Sequence, residues 1–600
     1  MNTRLKQFYT NRADLLAAEI LRLKQRNRLF VAAELTLFAV VVLLVVAYTA
    51  VAARAMLLLL AATVFGVYVF VRRLDVSNGK RIDSLSRTHA VYSKELLYLD
   101  GDFSQFADGR QYADARHEFT YDLDVFGSES LFQRINRTIT SGGSDRLAQL
   151  LSTLPADAGE VKQREAAVSG LAGQERWRMA FLALGEGMHV DSVAILNVLH
   201  QVSGMRISSM AGSRLSLVLA YAALAGFAVT ILLAVFFSLD SSVPVMWGVL
   251  QLFGAMAVSA RPLRSIGKAV NRLHKQLQVY VMLIRHISEL EAAGSRLHGL
   301  QQTLFAPGSD ALQSFAQLEQ LLKGLDRRGN VLGLVIFNMC FLSDFFLVRR
   351  FLKWQAAYLG KIEEWVAAVS EIDALVSMAG FRYNEPEAIG ADVVESKTLV
   401  YEAQGLCHPF LGAKAVRNDF TIAHRNYYII TGANMAGKST FLRSVGINYL
   451  LAMNGMPVFA SSFRVSLFRL FSSMRTSDDL AHGISYFNAE LLRLKQLMES
   501  LVPEPTLIIL DEILKGTNSL DKLNGSRMFL EAISRKNVSG IIATHDLELS
   551  RMADEHPARF HNYCFEISLA NEITYTYKIT PGVARNQNAT FLLRNIIGQA

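Results

Sequence analysis

The sequence predicts a mainly α-helical chain with four transmembrane helices, ending in an α/β domain on a mostly parallel sheet. Three observations carry this. Apolar residues make up 51% of the 600 and charged residues only 19%, below the roughly 25% charge of an ordinary soluble chain. The apolar surplus is gathered into two long stretches rather than spread along the chain. From about residue 395, short β-type runs alternate with helical patterns, the rhythm of βαβ units. This composition excludes a disordered chain and argues against an entirely soluble one. Eleven prolines suit long helices. Cys340, Cys407 and Cys564 lie far apart without a CxxC, so neither a disulfide framework nor a zinc site is expected, and a reducing compartment fits. The net charge of +8 is mild for this length; it is compatible with nucleic acid or an anionic membrane and requires neither.

Residues 1–28 read as a polar N-terminal helix and not as a cleavable signal. Residues 29–71 contain only two charges, Glu34 and Arg54. One helix of that length would be about twice a ~30 Å hydrocarbon core, so two crossings, 29–50 and 55–71, are expected to turn near Arg54. A second pair is expected at 215–239 and 244–260, broken by Asp240-Ser241-Ser242 and Pro244. Cations crowd the inner flanks: Arg22, Lys24, Arg26 and Arg28 before the first span, Arg72 and Arg73 after the second. Arg206 and Arg214 precede the third, and Arg261, Arg264 and Lys268 follow the fourth. The positive-inside rule then places the N-terminus and the large domains in the cytoplasm of a multi-pass protein of the inner (cell) membrane. A further apolar stretch, 331–351, holds Asn338, Asp344, Arg349 and Arg350. A charge at a bilayer centre costs ~2.5–3.5 kcal/mol, so a buried soluble helix is expected there.

Apolar residues at three- and four-residue spacing over 128–200 and 262–380, clearest at 314–325 and 362–378, predict a helical core. The chain thus divides into an N-terminal helix (1–28), a first transmembrane hairpin (29–71), a connector (72–125), the first part of the core (126–214), a second hairpin (215–260), the second part of the core (261–392) and a C-terminal domain (393–600). A linker is expected at 380–392, where Asn384, Pro386 and Gly390 lie. Strands of the C-terminal domain are expected at 427–431, 506–510 and 539–544.

Gly432-Ala433-Asn434-Met435-Ala436-Gly437-Lys438-Ser439 fits GxxxxGK[ST], between an apolar strand and a helical run from Thr440. In that setting Gly432 and Gly437 let backbone N–H groups wrap phosphates, and the helix N-terminus adds positive potential. Lys438 is expected at the β- and γ-phosphates of ATP and Ser439 on Mg²⁺. Leu507-Ile508-Ile509-Leu510-Asp511-Glu512 is an apolar strand ending in two acids. Asp511 suits the metal, and Glu512 suits polarisation of an attacking water. Ile541-Ile542-Ala543-Thr544-His545 is another such strand, whose His545 is placed to sense the γ-phosphate. These parts describe an α/β P-loop NTPase of ABC type, a kind of site often completed across a dimer. Ser485, in Gly483-Ile484-Ser485-Tyr486-Phe487-Asn488-Ala489-Glu490, is the candidate trans-acting residue; a serine before a helix also reads as a plain N-cap.

The run Thr431–Thr440 closely resembles the P-loop of the MutS mismatch-repair ATPases. So do Ser477-Asp478-Asp479-Leu480 with the 483–490 segment, Asp511-Glu512-Ile513 with Gly516-Thr517-Asn518-Ser519 and Asp521, and Ala543-Thr544-His545 with Glu548-Leu549. Gly405 with His408-Pro409 resembles the opening of that family's ATPase domain. Upstream, Leu131-Phe132, Asn136-Arg137-Thr138, Thr140, Gly143 and Leu147, then Arg164, Ala167-Val168 and Leu171, resemble the start of its helical core. The resemblance implies ATP and Mg²⁺ as cofactors, with Asn434 and Thr440 along the phosphates beside Gly432, Gly437, Lys438 and Ser439. It implies Asp511 on the metal, Lys438, Glu512 and His545 as the catalytic groups, and Ser485 acting in trans across a homodimer. It also implies ATP state coupled through the helical core to a clamp around DNA. Ala433 and Ala436 replace the family's usual proline and glycine; the methyl at 436 fits if that φ is negative. Leu514-Lys515 replaces Gly-Arg, and Ala415 stands where some members stack an aromatic ring on adenine. The family's Phe-x-Glu mismatch wedge has no counterpart before residue 131, since Phe529-Leu530-Glu531 lies inside the ATPase domain. Strict mismatch reading is therefore not expected.

Two functions follow. One is a membrane-anchored MutS-like ATPase that acts on duplex or branched DNA, with the basic groups of 261–275 and Arg327-Arg328 as candidate phosphate contacts. The other is a membrane-bound mechanical or signalling ATPase that works on its own spans or on an unidentified membrane partner without DNA. A transporter is disfavoured, because polar groups in the spans are few (Glu34, Thr36, Thr63, Thr230, Gln251). A small-molecule kinase is disfavoured because the acid pair and the 483–490 element suit hydrolysis and dimer closure.

Overall fold

Two long helices, α1 (Thr3–Ala50) and α2 (Arg54–Leu99), form an antiparallel pair at the N-terminal end of the computed structural model. The structure describes residues 3–50, 54–188, 190–204, 210–270, 274–326, 328, 331–475, 486–569 and 573–585. The polar 1–28 stretch and the first apolar run are thus one element from Thr3 onward, as are the second apolar run and much of the connector. Hydropathy marks where such a helix changes surroundings, not where it ends. Across the pair, Arg72 reaches Glu34 at 3.2 Å, Arg81 reaches Glu19 at 2.6 Å, and Asn78 donates to the carbonyl of Leu23 at 3.0 Å. The carboxylate inside the first apolar run is therefore paired.

The first part of the core contains α3 (Leu131–Ile135), α4 (Ser141–Ser152), α5 (Ala158–Gly173), α6 (Glu175–Gly185) and α7 (Ser192–Gly204). Side chains of Ser130, Thr140 and Asp157 cap α3, α4 and α5 by accepting from the third following backbone N–H. The second hairpin is α8 (Arg214–Phe236) and α9 (Ser242–Val270), tied by Trp247 and Gln251 donating to the carbonyl of Ala223 at 3.0 and 2.6 Å. Then come α10 (His274–Ser288), α11 (Gly294–Leu304), a two-residue hairpin β1 (Phe305–Ala306) and β2 (Ser309–Asp310), and α12 (Ala311–Asp326). Among the described residues four helices, α1, α2, α8 and α9, are long and apolar enough to cross a membrane, and the apolar windows of the first three are almost wholly uncovered by protein.

The 331–351 stretch is not one buried helix. It is α13 (Val331–Phe341) and the start of α14 (Ser343–Tyr358), bent by 82° at Leu342. Leu342 takes a left-handed φ of 48°, and Val331, Leu332, Ile336 and Phe341 are exposed. The polar residues that argued for burial in solution lie on the inner side: Asn338 is buried, and Asp344 is paired with Arg328 at 3.0 Å. α15 (Ile362–Asn384) then runs through the centre of the core, so the expected linker shrinks to the residues after Asn384. Asp373 of α15 accepts from Thr140 Oγ1 at 2.7 Å and from the backbone of Ile139 and Thr140. A Cβ at Gly143 would lie 2.1 Å from that carboxylate, so the glycine is what allows the approach.

The C-terminal domain holds two sheets. Its strands are β3 (Asp392–Val394), β4 (Tyr401–Leu406), β5 (Asn418–Ile422), β6 (Tyr427–Gly432), β7 (Ser462–Ser466), β8 (Arg469–Ser473), β9 (Thr506–Asp511), β10 (Val538–Thr544), β11 (Phe560–Leu569) and β12 (Ile573–Pro581). Its helices are α16 (Lys438–Met453), α17 (Tyr486–Ser500), α18 (Ser519–Ser534) and the short α19 (Met552–Glu555). The larger sheet, in the order β12-β11-β6-β10-β9-β8, is parallel except for β12. The smaller, β3-β7-β4-β5, is mainly antiparallel, so the domain is mixed rather than mostly parallel. Wholly buried parallel strands read as apolar runs, whereas β4 and β5 alternate buried and exposed residues and give a weaker signal. One apolar core is continuous from the helices to one face of the larger sheet. A second, with Phe471, Leu497, Ile508, Leu530 and Ile542, fills the other face.

Candidate functional site

The site forms where β6, β9 and β10 end beside the first turn of α16. These three neighbouring parallel strands bring residues 432, 511 and 545 to one edge, although the first and last lie over a hundred positions apart in sequence. At Gly432 a Cβ would lie 2.9 Å from the carbonyl oxygen of Phe565, and at Gly437, with φ of 107°, it would lie 3.0 Å from the Tyr577 ring. Ala436 is not among the residues with positive φ, so its methyl is accommodated; Met435, at 66°, is a non-glycine residue of the loop that is left-handed.

Lys438 is only 6% exposed. Its Nζ donates to the carbonyls of Gly432 at 2.7 Å and Ala433 at 3.0 Å, and lies 3.5 Å from His545 Nδ1. Burial lowers its pKa to about 8, against the pull of Asp511 and Glu512. Ser439 Oγ donates to Asp511 Oδ2 at 2.6 Å. Glu512 has a left-handed φ of 62°, held by its N–H donating to Ala543 at 2.9 Å. Its carboxylate lies 3.5 Å from His545 Nε2 and 3.5 Å from Lys522 Nζ. Burial, then the Lys438 charge, hold His545 below the ordinary histidine range, against Glu512, so the ring is neutral at pH 7.

These groups border a cavity of about 800 Å³ that Asn434 and Thr440 also line. Its far wall holds His408, Leu411, Lys414, Phe565 and Tyr577. Burial, aided by Arg443 and Arg134, lowers the His408 pKa to about 4, and its Nδ1 accepts from the N–H of Phe410. Ala415 is not part of the lining; Tyr577, from the hairpin of β11 and β12, supplies the aromatic surface. Sequence reasoning missed Tyr577, Phe565 and Lys522. Lys515 and Lys522 carry a faint signal, as bases just past the acid pair. Tyr577 carries none, because only the return of β12 places it over Gly437. Ser485 lies outside the described residues, so its trans role is not placed. Of the candidate DNA contacts, Arg328 is engaged by Asp344, while residues 271–273 and Arg327 lie outside the described residues.

The upstream motif residues meet the C-terminal domain rather than the cavity. Arg164, buried in α5, donates to the Met453 carbonyl and to Asn454 Oδ1, both at 3.2 Å, at the C-terminal end of α16. Arg137 pairs with Glu95 of α2 at 3.1 Å, and Asn384 of α15 bonds both Glu95 and Tyr9 of α1. The connector grips the edge of the larger sheet: Asp122 accepts from Ser472 Oγ and from the backbone of Met474 and Arg475.

Strand, glycine loop, helix N-terminus and two strand-tip carboxylates together define a P-loop α/β domain. The family described as MutS domain V matches residues 428–591. The DNA mismatch repair protein MutS of Granulibacter bethesdensis is 36% identical over 212 residues, 34% of this chain and 22% of that protein. MutS of Chloroflexus aurantiacus is 31% identical over 38% of this chain and 24% of its own length, and mismatch repair protein msh-2 of Neurospora crassa 30% over 35% and 23%. Through this C-terminal part the chain is similar to the MutS family. It spans about a quarter of the length of these relatives.

Proposed function

We propose that the protein is a membrane-anchored MutS-like ATPase. It closes as a homodimer on ATP and Mg²⁺ and passes that closure through the helical core to DNA. The observation that carries the reading is the meeting of Lys438, Ser439, Asp511, Glu512 and His545 at one sheet edge. The residues fit the cofactor. Two glycines keep the loop open, the Lys438 ammonium donates to two backbone carbonyls beside His545, and Ser439 with Asp511 offers the hard oxygen donors magnesium takes. The loop N–H groups, Lys438, Asn434 and Thr440 would hold the phosphates, and Ser439 with Asp511 the metal. Bound ATP and Mg²⁺ supply the scissile phosphoanhydride and neutralise its charge. Glu512 orients water and takes its proton, with Lys522 steadying the carboxylate. Neutral His545 offers a hydrogen bond between Glu512 and Lys438, and Tyr577 offers a ring to the base. The four apolar helices anchor the chain, with the cation-rich flanks and the ATPase domain on the cytoplasmic side of the cell membrane.

DNA as ligand rests on the relatives' names. The second reading, an ATPase that works on its own spans or a membrane partner, draws on the buried tie from α1 and α2 to α15. ATP hydrolysis by the detergent-purified chain, with and without duplex, mismatched and branched DNA, separates the two. Stimulation that weakens with salt supports DNA. Unchanged turnover with every DNA supports the second reading, and no affinity for ATP with Mg²⁺ removes both.

A further inference from the structure

A second cavity, about 1070 Å³, lies between α12, α13 and α14, away from the nucleotide site. Its two walls differ in chemistry. One is the apolar α13, with Leu334, Phe337 and Phe341 on the cavity. The other, from α12 and α14, carries the cations: Lys323 from α12, then Arg350 and Lys353 one turn apart on α14, beside Leu321, Leu347 and Trp354. Two of the four lining cations are already neutralised, Arg328 by buried Asp344 at 3.0 Å and Lys323 by Glu319 at 2.6 Å. Arg350 and Lys353 are exposed, and among the described residues no carboxylate pairs with either. Two unmatched positive charges thus face an apolar wall across a roomy groove.

The position of the groove fixes its level. Arg349, beside Arg350, donates to the carbonyls of Ala211 and Ser213 at 2.8 and 2.9 Å, at the start of α8. α13 lies along α9, where Met339 Cε would stand 3.0 Å from a Cβ placed on Gly248. Val331 and Leu332 of α13 are 71% and 73% exposed. The cations therefore sit at the inner end of the third span, and an uncovered apolar helix leads from them along the fourth.

We infer that this groove binds an anionic glycerophospholipid of the bilayer, its phosphate held by Arg350 and Lys353 and its acyl chains laid along α13. The inference rests on the membrane anchoring proposed above. Charge complementarity selects the headgroup, since basic pockets between membrane helices on the cytoplasmic side take acidic lipids. The apolar wall selects a lipid over free phosphate, which would leave α13 uncovered.

The test is native mass spectrometry of the full chain, extracted from membranes in mild detergent and offered phosphatidylglycerol or phosphatidylcholine. The wild-type chain should retain phosphatidylglycerol preferentially. R350A/K353A should lose that preference by about 10- to 30-fold, two headgroup contacts at roughly 1 kcal/mol each. R350K/K353R should keep it. Equal retention of the two lipids by the wild-type chain, which needs no variant, overturns the proposal. So does equal preference in wild type and R350A/K353A, or displacement of the bound lipid by millimolar inorganic phosphate. Recovery of the wild-type chain from the soluble fraction without detergent removes the anchoring itself, a failure distinct from a loss of lipid selectivity.

Discussion

The buried charges at the base of the first hairpin and those at the P-loop are built to opposite rules. At the hairpin base, Arg137 meets Glu95 at 3.1 Å through two nitrogens, Asn384 bridges Glu95 and Tyr9, and Arg137 lies over the Tyr98 ring. At the P-loop, Lys438 donates to two backbone carbonyls, Glu512 stands 3.5 Å from two bases, and four residues at or around the cavity, Met435, Glu512, Leu514 and Tyr577, hold left-handed backbone. The closed cluster fixes one geometry. The loose one keeps its charges ready for groups that arrive from outside. Structural and chemical charges can thus be told apart by how completely each is paired.

The largest expected effect tests the closed cluster. Arg137→Ala leaves the Glu95 carboxylate buried without its cation, and should cost about 3–5 kcal/mol, read from the denaturant midpoint of the purified chain. A cost near zero would erase the contrast. At the P-loop, Lys438→Ala and Glu512→Gln should each lower ATP hydrolysis by about 10²–10³-fold, Glu512→Gln without moving that midpoint. Glu512→Gln should still bind ATP and accumulate as a dimer on cross-linking; hydrolysis at the parent rate would remove Glu512 from the water-activating role.

A pH effect of about tenfold per unit sharpens the comparison. Burial brings Lys438 to about 8, below its ordinary 10.5. The ammonium is lost as pH rises through 8, so ATP affinity of the free protein should fall above that point. The sign for stability is opposite. Between about 8 and 10.5 the unfolded chain binds the extra proton, so this lysine makes stability rise with pH, and Lys438→Ala should remove that slope. The smallest effect belongs to Tyr9→Phe, which deletes one hydrogen bond to Asn384 at ~1 kcal/mol. A change in hydrolysis larger than the change in stability would make the closed cluster a transmission element as well as a brace.

The P-loop, the acid pair and the strand before His545 were legible because each is contiguous: the glycine spacing, the apolar run and the polar tip lie within a few residues. That Ser439 meets Asp511 follows once those strands share a sheet. Tyr577 was not legible and Lys522 only faintly so, since their places depend on a hairpin return and on the phase of α18. The antiparallel strands β4 and β5 hid in half-exposed alternation. The 331–351 stretch misled because its average composition conceals a sharp bend, with apolar residues outside and Asn338 and Asp344 inside. Arg137, Thr140 and Gly143 were visible as a motif, but their work, seating Glu95 and Asp373, needs α2 and α15 in place.

A helix of 48 residues is about 70 Å long at 1.5 Å per residue. About 60 Å of it separates Ala50 from Tyr9, which hydrogen-bonds Asn384, the last residue of α15. With the proposed anchoring, a few degrees of tilt at the lipid end becomes a displacement of several ångströms at the other. Through two stiff rods, bilayer thickness and curvature would then reach the buried end of α15, at Asn384.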